Sequence, residues 1–119
     1  MIGLPRAVKI YLATEPADMR KGFDGLAALV EAQGLDLYSG HLFVFVSKRA
    51  DRVKVLTWDR GGFVLYYKRL ERGRFRRPVV SADAESVLLD AGQLAMLLDG
   101  VDLRRVRRTR AWEPKNQAA

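Results

Sequence analysis

The chain has 119 residues, about half of them apolar, no cysteine, and a formal net charge of +7. This length is typical of a single domain that can bury a core, and the lack of cysteine excludes disulfides and thiolate metal sites. No apolar run approaches the roughly 20 residues that a membrane helix requires, and we expect no signal peptide, so the sequence predicts a cytoplasmic protein.

The first third of the chain predicts a strand followed by a helix. Residues 8–13 form a short apolar run rich in β-forming side chains, which indicates a strand. Residues 18–33 predict an amphipathic helix, because apolar side chains recur there at spacings of three and four. Asp18 lies in the predicted first turn, where a carboxylate favours the helix dipole, and Gly34 is a fitting end.

Two glycines, Gly22 and Gly25, lie inside this predicted helix. Each costs up to about 1 kcal/mol relative to alanine in a helix interior. One explanation is close packing of the helix on the sheet. The other is close approach of the backbone to a phosphate or a partner, and the neighbouring Arg20 and Lys21 keep this possibility open.

The middle of the chain predicts a group of strands joined by tight turns. Residues 41–46 are almost continuously apolar, which is typical of a buried central strand. In the next predicted strand, residues 52–59, Arg52 and Lys54 face one way and the valines between them face the other. Residues 59–62 predict a tight hairpin turn, residues 63–70 a further strand, and residues 74–80 a short extension.

The end of the chain predicts a second helix that begins after Asp90. Asp90 is a good N-cap, and Gln93 completes a capping box with it. Gly100 ends this helix, and residues 81–89 have no clear assignment. We therefore expect an α+β fold, with a mostly antiparallel sheet of four to five strands and two helices packed on one face. It should form one domain over residues 1–112, with a disordered tail over residues 113–119.

The excess positive charge is concentrated in residues 48–78, which contain eleven basic and three acidic side chains. The segments before and after it carry net charges of −1 and 0. Such a localised field predicts a polyanionic partner, most simply DNA. The candidate nucleic-acid-binding residues are Arg49, Arg52, Lys54, Lys68, Arg69, Arg72, Arg74, Arg76 and Arg77.

The aromatic side chains among these bases have two interpretations. They could form a stacking surface for single-stranded nucleic acid, or they could serve core and cross-strand packing. The charges themselves could also protect a sheet edge against aggregation, although eleven bases exceed what that requires. The aromatic residues concerned are Trp58, Tyr66, Tyr67 and Phe75.

Catalytic chemistry has little support in this sequence. His41 is the single histidine, so no transition-metal set or nucleophilic triad can be assembled around it in the usual way. Asp18, Asp24 and Asp59 are the candidates for a metal-dependent nuclease, but Asp18 and Asp59 also suit capping and turn positions. We therefore predict a non-enzymatic protein without a cofactor or metal.

Several blocks of residues occur in an order that points to a known family. They are residues 18–26 (DMRKGFDGL), 39–45 (SGHLFVF), 51–56 (DRVKVL), 58–59 (WD) and 68–75 (KRLERGRF). In these blocks the chain resembles the Orf2-type accessory proteins, also called TnpB, of the insertion-sequence-66 family of bacterial mobile elements. The resemblance extends from about residue 2 to residue 112.

The resemblance implies a role in transposition beside a separate DDE-type transposase and another small protein. It carries no catalytic residues over to this chain. Two functions follow as hypotheses. The first is a DNA-binding accessory factor that acts through the basic segment. The alternative is an adaptor that docks on the transposase or the other small protein, with Arg20 and Lys21 as possible interaction residues.

Overall fold

The computed structural model describes residues 8–77 and 83–100, which form five strands and two helices. The elements are β1 (Ile10–Ala13), α1 (Phe23–Ala32), β2 (Leu42–Val46), β3 (Arg52–Asp59), β4 (Gly62–Arg69), β5 (Ser86–Leu89) and α2 (Ala91–Leu98). The strands form one sheet in the order β4-β3-β2-β1-β5. Strands β1 and β2 are parallel and the other neighbouring pairs are antiparallel. The predicted α+β class with a mostly antiparallel sheet is confirmed.

Strand β2 lies at the centre of the sheet and is buried on both faces. Leu26 of α1 packs in one core cluster with Phe43 and Phe45, whereas Leu97 of α2 packs in the other cluster with Val44 and Val46. The two helices therefore lie on opposite faces of the sheet. The expectation that both helices pack on one face is wrong, because a strand that is apolar at every position needs a cover on each face.

Helix α1 begins later than the sequence pattern predicts. Its N-cap is Gly22, which has no side chain to cap with, and the residues before it form a turn in which the Lys21 N–H donates to the Asp18 carbonyl. The Asp18 carboxylate does not cap the helix, because it accepts from the backbone N–H of Arg20. Only Gly25 lies inside the helix, and a Cβ there would lie 2.9 Å from Cβ and Cγ of Lys21.

The turn between β3 and β4 is the predicted tight hairpin. Asp59 pairs with Gly62, so the loop consists of Arg60 and Gly61 alone. Both have positive φ, 43° and 86°, as two-residue hairpin loops of this type require. The eight residue pairs between β3 and β4 continue without interruption to Arg52 and Arg69.

The C-terminal part of the described chain adds an edge strand to the sheet and the second helix. Strand β5, which the sequence pattern left unassigned, pairs antiparallel with β1. The predicted capping box of α2 is confirmed, because Asp90 Oδ1 accepts from the Gln93 N–H at 2.8 Å and Gln93 Oε1 accepts from the Asp90 N–H. Residues 74–77 of the predicted extension are not in a strand. The rest of that extension and the predicted tail lie outside the described residues.

Candidate nucleic-acid interface

Eight of the fourteen basic residues in the described parts of the chain lie at one end of the sheet, where β1, β2 and β4 finish and β3 begins. Two segments meet there, the turn of residues 47–51 and the segment of residues 70–77. The Leu70 N–H donates to the Asp51 carbonyl at 2.7 Å, and the Phe75 N–H donates to the Ala50 carbonyl. We call residues 47–52 and 69–77 the basic end. It carries Lys48, Arg49, Arg52, Arg69, Arg72, Arg74, Arg76 and Arg77 against Asp51 and Glu71.

Six bases of the basic end are exposed. Arg69 ends β4 and is paired with Glu71, and the other five lie on the two connecting segments. None of these five forms a hydrogen bond or ion pair with another residue in 8–77 or 83–100, so their charges face solvent. They are Lys48, Arg49, Arg72, Arg74 and Arg76. The sequence segment of high charge therefore becomes a localised cationic surface, although this surface is built from connections rather than from the outer face of the sheet.

Lys54 lies in the interior, where it is only 9% exposed. Its Nζ donates to the carbonyls of Met19 and Lys21 at 2.8 and 2.9 Å, and it lies 5.0 Å from the ring centroid of Tyr67. The ammonium group therefore links the segment before α1 to β3 through hydrogen bonds. Because its hydrogen bonds are made inside the protein, Lys54 is not part of the cationic surface.

Lys68 and Arg77 are half-buried and also bind backbone carbonyls. The Lys68 Nζ donates to the Leu98 carbonyl at 2.6 Å, at the end of α2 where carbonyls lack helical partners and the dipole favours a cation. Arg77 Nη1 donates to the Thr14 carbonyl at 3.1 Å. Both side chains link separate segments of the chain. Fewer of the nine predicted residues are therefore available to contact nucleic acid than the sequence suggests.

Two exposed arginines are paired with carboxylates. Arg69 forms an ion pair of 2.9 Å with Glu71, and the hydrogen bond to that carboxylate raises the pKa of Arg69. Arg20 binds both oxygens of Asp18, with Nη2 lying 2.7 Å from Oδ2. The side-chain and backbone hydrogen bonds from Arg20 lower the pKa of the Asp18 carboxyl to about 2. Lys21, the other possible interaction residue, is exposed.

A cavity of about 420 Å³ opens at the basic end, between residues 17–20 and residues 47–52. Its wall is fixed by Ser47, whose Oγ donates to Asp51 Oδ1 at 3.2 Å and accepts from the Arg52 N–H. The Nε of Arg52 is shielded from solvent and has no hydrogen-bond partner among the described residues. Lys48, which the predicted site omits, also lines the cavity; its place beside Arg49 in the turn between two predicted strands is the signal that could have identified it.

The aromatic residues among the bases divide between packing and exposure. Phe75 is 2% exposed and belongs to the core beside α2, so it cannot stack on a base. Trp58 makes edge contacts with Tyr38 and Phe63. Only Tyr66 and Tyr67 on β4 are largely exposed, at 44% and 50%.

His41 and Asp59, two of the residues considered for catalysis, have structural roles. His41 Nδ1 accepts from the backbone N–H of Lys9 at 3.0 Å, and Asp59 closes the hairpin through its pairing with Gly62. Within the described parts of the chain, no three or more His, Cys, Asp or Glu side chains come together as a potential metal site. Those parts also contain no helix of the length and apolarity that crossing a membrane requires.

Comparisons with known proteins identify the family. A family model described as "IS66 Orf2 like protein" matches residues 8–108. The chain is 40% identical over 119 residues to the "Uncharacterized protein y4jC" of Sinorhizobium fredii (strain NBRC 101917 / NGR234), covering 99% of this chain and 100% of the relative. It is also 40% identical over 108 residues to the "Uncharacterized protein y4hO" of the same strain, covering 90% of each.

No solved structure is significantly similar to the chain. The family match nevertheless covers most of the residues, and it confirms the resemblance seen in the ordered blocks of the sequence. The chain therefore belongs to the family of IS66 Orf2-like proteins.

Proposed function

We propose that this protein is a non-catalytic accessory factor of transposition that binds DNA through its basic end. Membership in the IS66 Orf2-like family supports an accessory role in transposition. The observation that carries the DNA proposal is the gathering of exposed arginines without carboxylate partners in the described structure. They are Arg49, Arg72, Arg74 and Arg76.

The physical basis of binding is the replacement of counterions around DNA by these arginines. Each phosphate that a guanidinium neutralises releases condensed cations, which makes the affinity fall steeply with salt. Arginine also binds phosphate oxygens in a bidentate manner. Such contacts position a protein on DNA without reading its sequence, so we expect a large non-specific component of binding.

The most direct experiment is a gel shift with three DNA ligands of equal length. These are duplex from the ends of the mobile element, random duplex and single-stranded DNA. We expect duplex binding that weakens strongly between 50 and 200 mM NaCl, as phosphate-dominated complexes do by orders of magnitude. Failure to bind any of the three ligands at low salt would overturn the proposal.

A protein adaptor is the second candidate function, and strand β4 is the observation that favours it. This strand forms an edge of the sheet, and Val64, Tyr66 and Tyr67 on it are 44–50% exposed. An exposed edge strand can accept a strand from a partner. Arg20 and Lys21 give this candidate less support, because Arg20 is paired with Asp18.

The two candidates are separated by co-purification with the transposase and the other small protein of the element. The adaptor function predicts complexes that persist after nuclease digestion and that are lost when Tyr66 and Tyr67 are replaced by serine. The DNA-binding function predicts that nuclease digestion dissociates them.

A further inference from the structure

We propose that the cavity between residues 17–20 and residues 47–52 is a built binding site for a single phosphate group. The site would take a phosphate oxyanion, either from a DNA strand or from a smaller phosphorylated molecule. Whether the bound phosphate belongs to DNA depends on the proposed function, but the binding of a phosphate in the cavity does not.

The side chain of Arg52 forms part of the cavity wall. Its Nε is inaccessible to solvent and lacks a hydrogen-bond partner among the described residues, although its backbone N–H is held by Ser47. A shielded donor on a charged group is costly unless it is hydrogen-bonded. An oxyanion in the cavity would offset the positive charge of this guanidinium, and a rotation of the Arg52 side chain that brings its Nε to the cavity would satisfy the donor.

The side chains around the cavity carry more positive than negative charge. Arg20, Lys48, Arg49 and Arg52 line it together with two carboxylates, Asp18 and Asp51. The carboxylate of Asp18 is already neutralised by the bidentate contact with Arg20. The remaining cations, Lys48, Arg49 and Arg52, face only Asp51, which accepts a hydrogen bond from Ser47. The cavity therefore keeps an excess of positive charge.

Hydrogen bonds fix the walls of the cavity, and a site that is fixed beforehand binds its ligand at lower entropic cost. The turn of residues 47–51 is fastened at both ends, since the Ser47 N–H donates to the Arg52 carbonyl and the Ala50 N–H donates to the Ser47 carbonyl, both at 2.9 Å. The opposite wall is fixed by the Ala17 N–H, which donates to the Val46 carbonyl at 3.0 Å. Small-molecule sites occupy roughly 300–1,000 Å³, so the cavity has room for a phosphate and the sugar attached to it.

The test follows the arginine Nε–Hε resonances of the full-length ¹⁵N-labelled protein by NMR. Inorganic phosphate is titrated at constant ionic strength, with chloride as the competing anion. We expect a saturable shift of the Arg52 resonance with phosphate and no comparable shift of Arg60, which lies at the other end of β3, roughly 23 Å away. A linear response, equal for phosphate and chloride and equal at Arg52 and Arg60, would overturn the site.

Two variants keep the test decisive if replacing Arg52 disturbs the fold. Arg49→Gln changes an exposed arginine of the cavity and should weaken phosphate binding about tenfold, as the loss of a charged hydrogen bond does. Arg60→Gln makes the same chemical change at the far end of the sheet and should leave phosphate binding unchanged. Equal effects of the two replacements would contradict the proposal.

The source of the phosphate is distinguished by a second titration with a short oligonucleotide, with and without a 5′-phosphate. An Arg52 shift with both forms indicates a backbone diester, and a shift with the phosphorylated form alone indicates a terminal phosphate. DNA binding that leaves the Arg52 resonance unchanged would overturn the cavity but not the proposed function. Saturable phosphate binding without any DNA binding would overturn the proposed function but not the cavity.

Discussion

The ammonium group of Lys54 determines the path of the chain before α1. It supplies hydrogen bonds to the carbonyls of Met19 and Lys21, in a segment that lies outside any helix or strand. Buried carbonyls without a donor are destabilising. Lys54 therefore stabilises the fold with its positive charge. The sequence alone would assign the same charge to nucleic-acid binding.

Replacing Lys54 with methionine should destabilise the protein. Methionine keeps the long apolar stem but leaves both carbonyls without the ammonium donor, so we expect a loss of about 1–3 kcal/mol in the free energy of unfolding. Urea denaturation measures this loss. The control Lys48→Met, on an exposed turn, should change stability by less than about 0.5 kcal/mol. An unchanged stability of the Lys54 variant, with a large loss of DNA affinity, would show that Lys54 contacts DNA instead.

The Asp18–Arg20 pair gives a pH-dependent prediction. The pKa of Asp18 is lowered from 3.8 to about 2 by hydrogen bonds from Arg20, so the pair stabilises the folded state above pH 3.8 and this contribution is lost as the pH falls towards 2. The pair is exposed, so its effect on stability is small. A carboxyl ¹³C titration should place the Asp18 midpoint near 2 in the wild type and higher in Arg20→Gln. Equal midpoints in the two proteins would contradict the pairing.

The limits of sequence reasoning at the residue scale are clearest for the basic side chains. Alternation along β3 predicts that Arg52 and Lys54 share a face, and the pairing with Arg69 and Tyr67 confirms it. It cannot show that the chain before α1 covers Lys54, or that Lys68 reaches the end of α2. These contacts join residues about 30 positions apart, so only the tertiary structure separates structural cations from exposed ones.

At the scale of elements, the sequence predicts correctly the features that depend on neighbouring residues. It misses the features that depend on pairing between distant residues. The apolar run of β2 and the capping box of α2 each require only neighbouring residues, and both predictions are confirmed. The sequence pattern does not identify strand β5, because its four residues become a strand by pairing with β1. The prediction that α2 packs on the same face of the sheet as α1 is wrong for a related reason, since local patterns do not determine which face a helix covers.

The β3–β4 hairpin provides a test with two adjacent glycines. Nothing lies within 4 Å of a Cβ added at either glycine, so the two differ only in backbone conformation. Gly61 has a φ of +86°, and the φ of Gly62 is not in the positive range. Gly61→Ala should therefore lower the free energy of unfolding by about 1–2 kcal/mol. Gly62→Ala should be neutral or slightly stabilising. Thermal or urea unfolding compares the two variants, and equal stabilities would contradict the assigned turn.

At the scale of the whole molecule, the fold converts a charged segment of sequence into a charged end. The opposite end of the sheet, where Lys9 precedes β1 and Arg60 forms the hairpin, carries few cations among the described residues. The exposed arginines come together through the antiparallel pairing of β3 with β2 and β4 and through the hydrogen bonds of residues 70 and 75 to the turn of residues 47–51. The proposed DNA binding depends on this asymmetry of charge.

The measurement that tests this claim most directly is the salt dependence of DNA affinity in two double variants with the same change in charge. Arg74→Gln/Arg76→Gln removes two cations from the basic end, and Lys9→Gln/Arg60→Gln removes two from the opposite end. The slope of log K against log[NaCl] should become shallower by about 1.8 in the first variant, about 0.9 for each lost phosphate contact, and should match the wild type in the second. Equal slopes in the two variants would show that the basic end is not the surface that meets DNA.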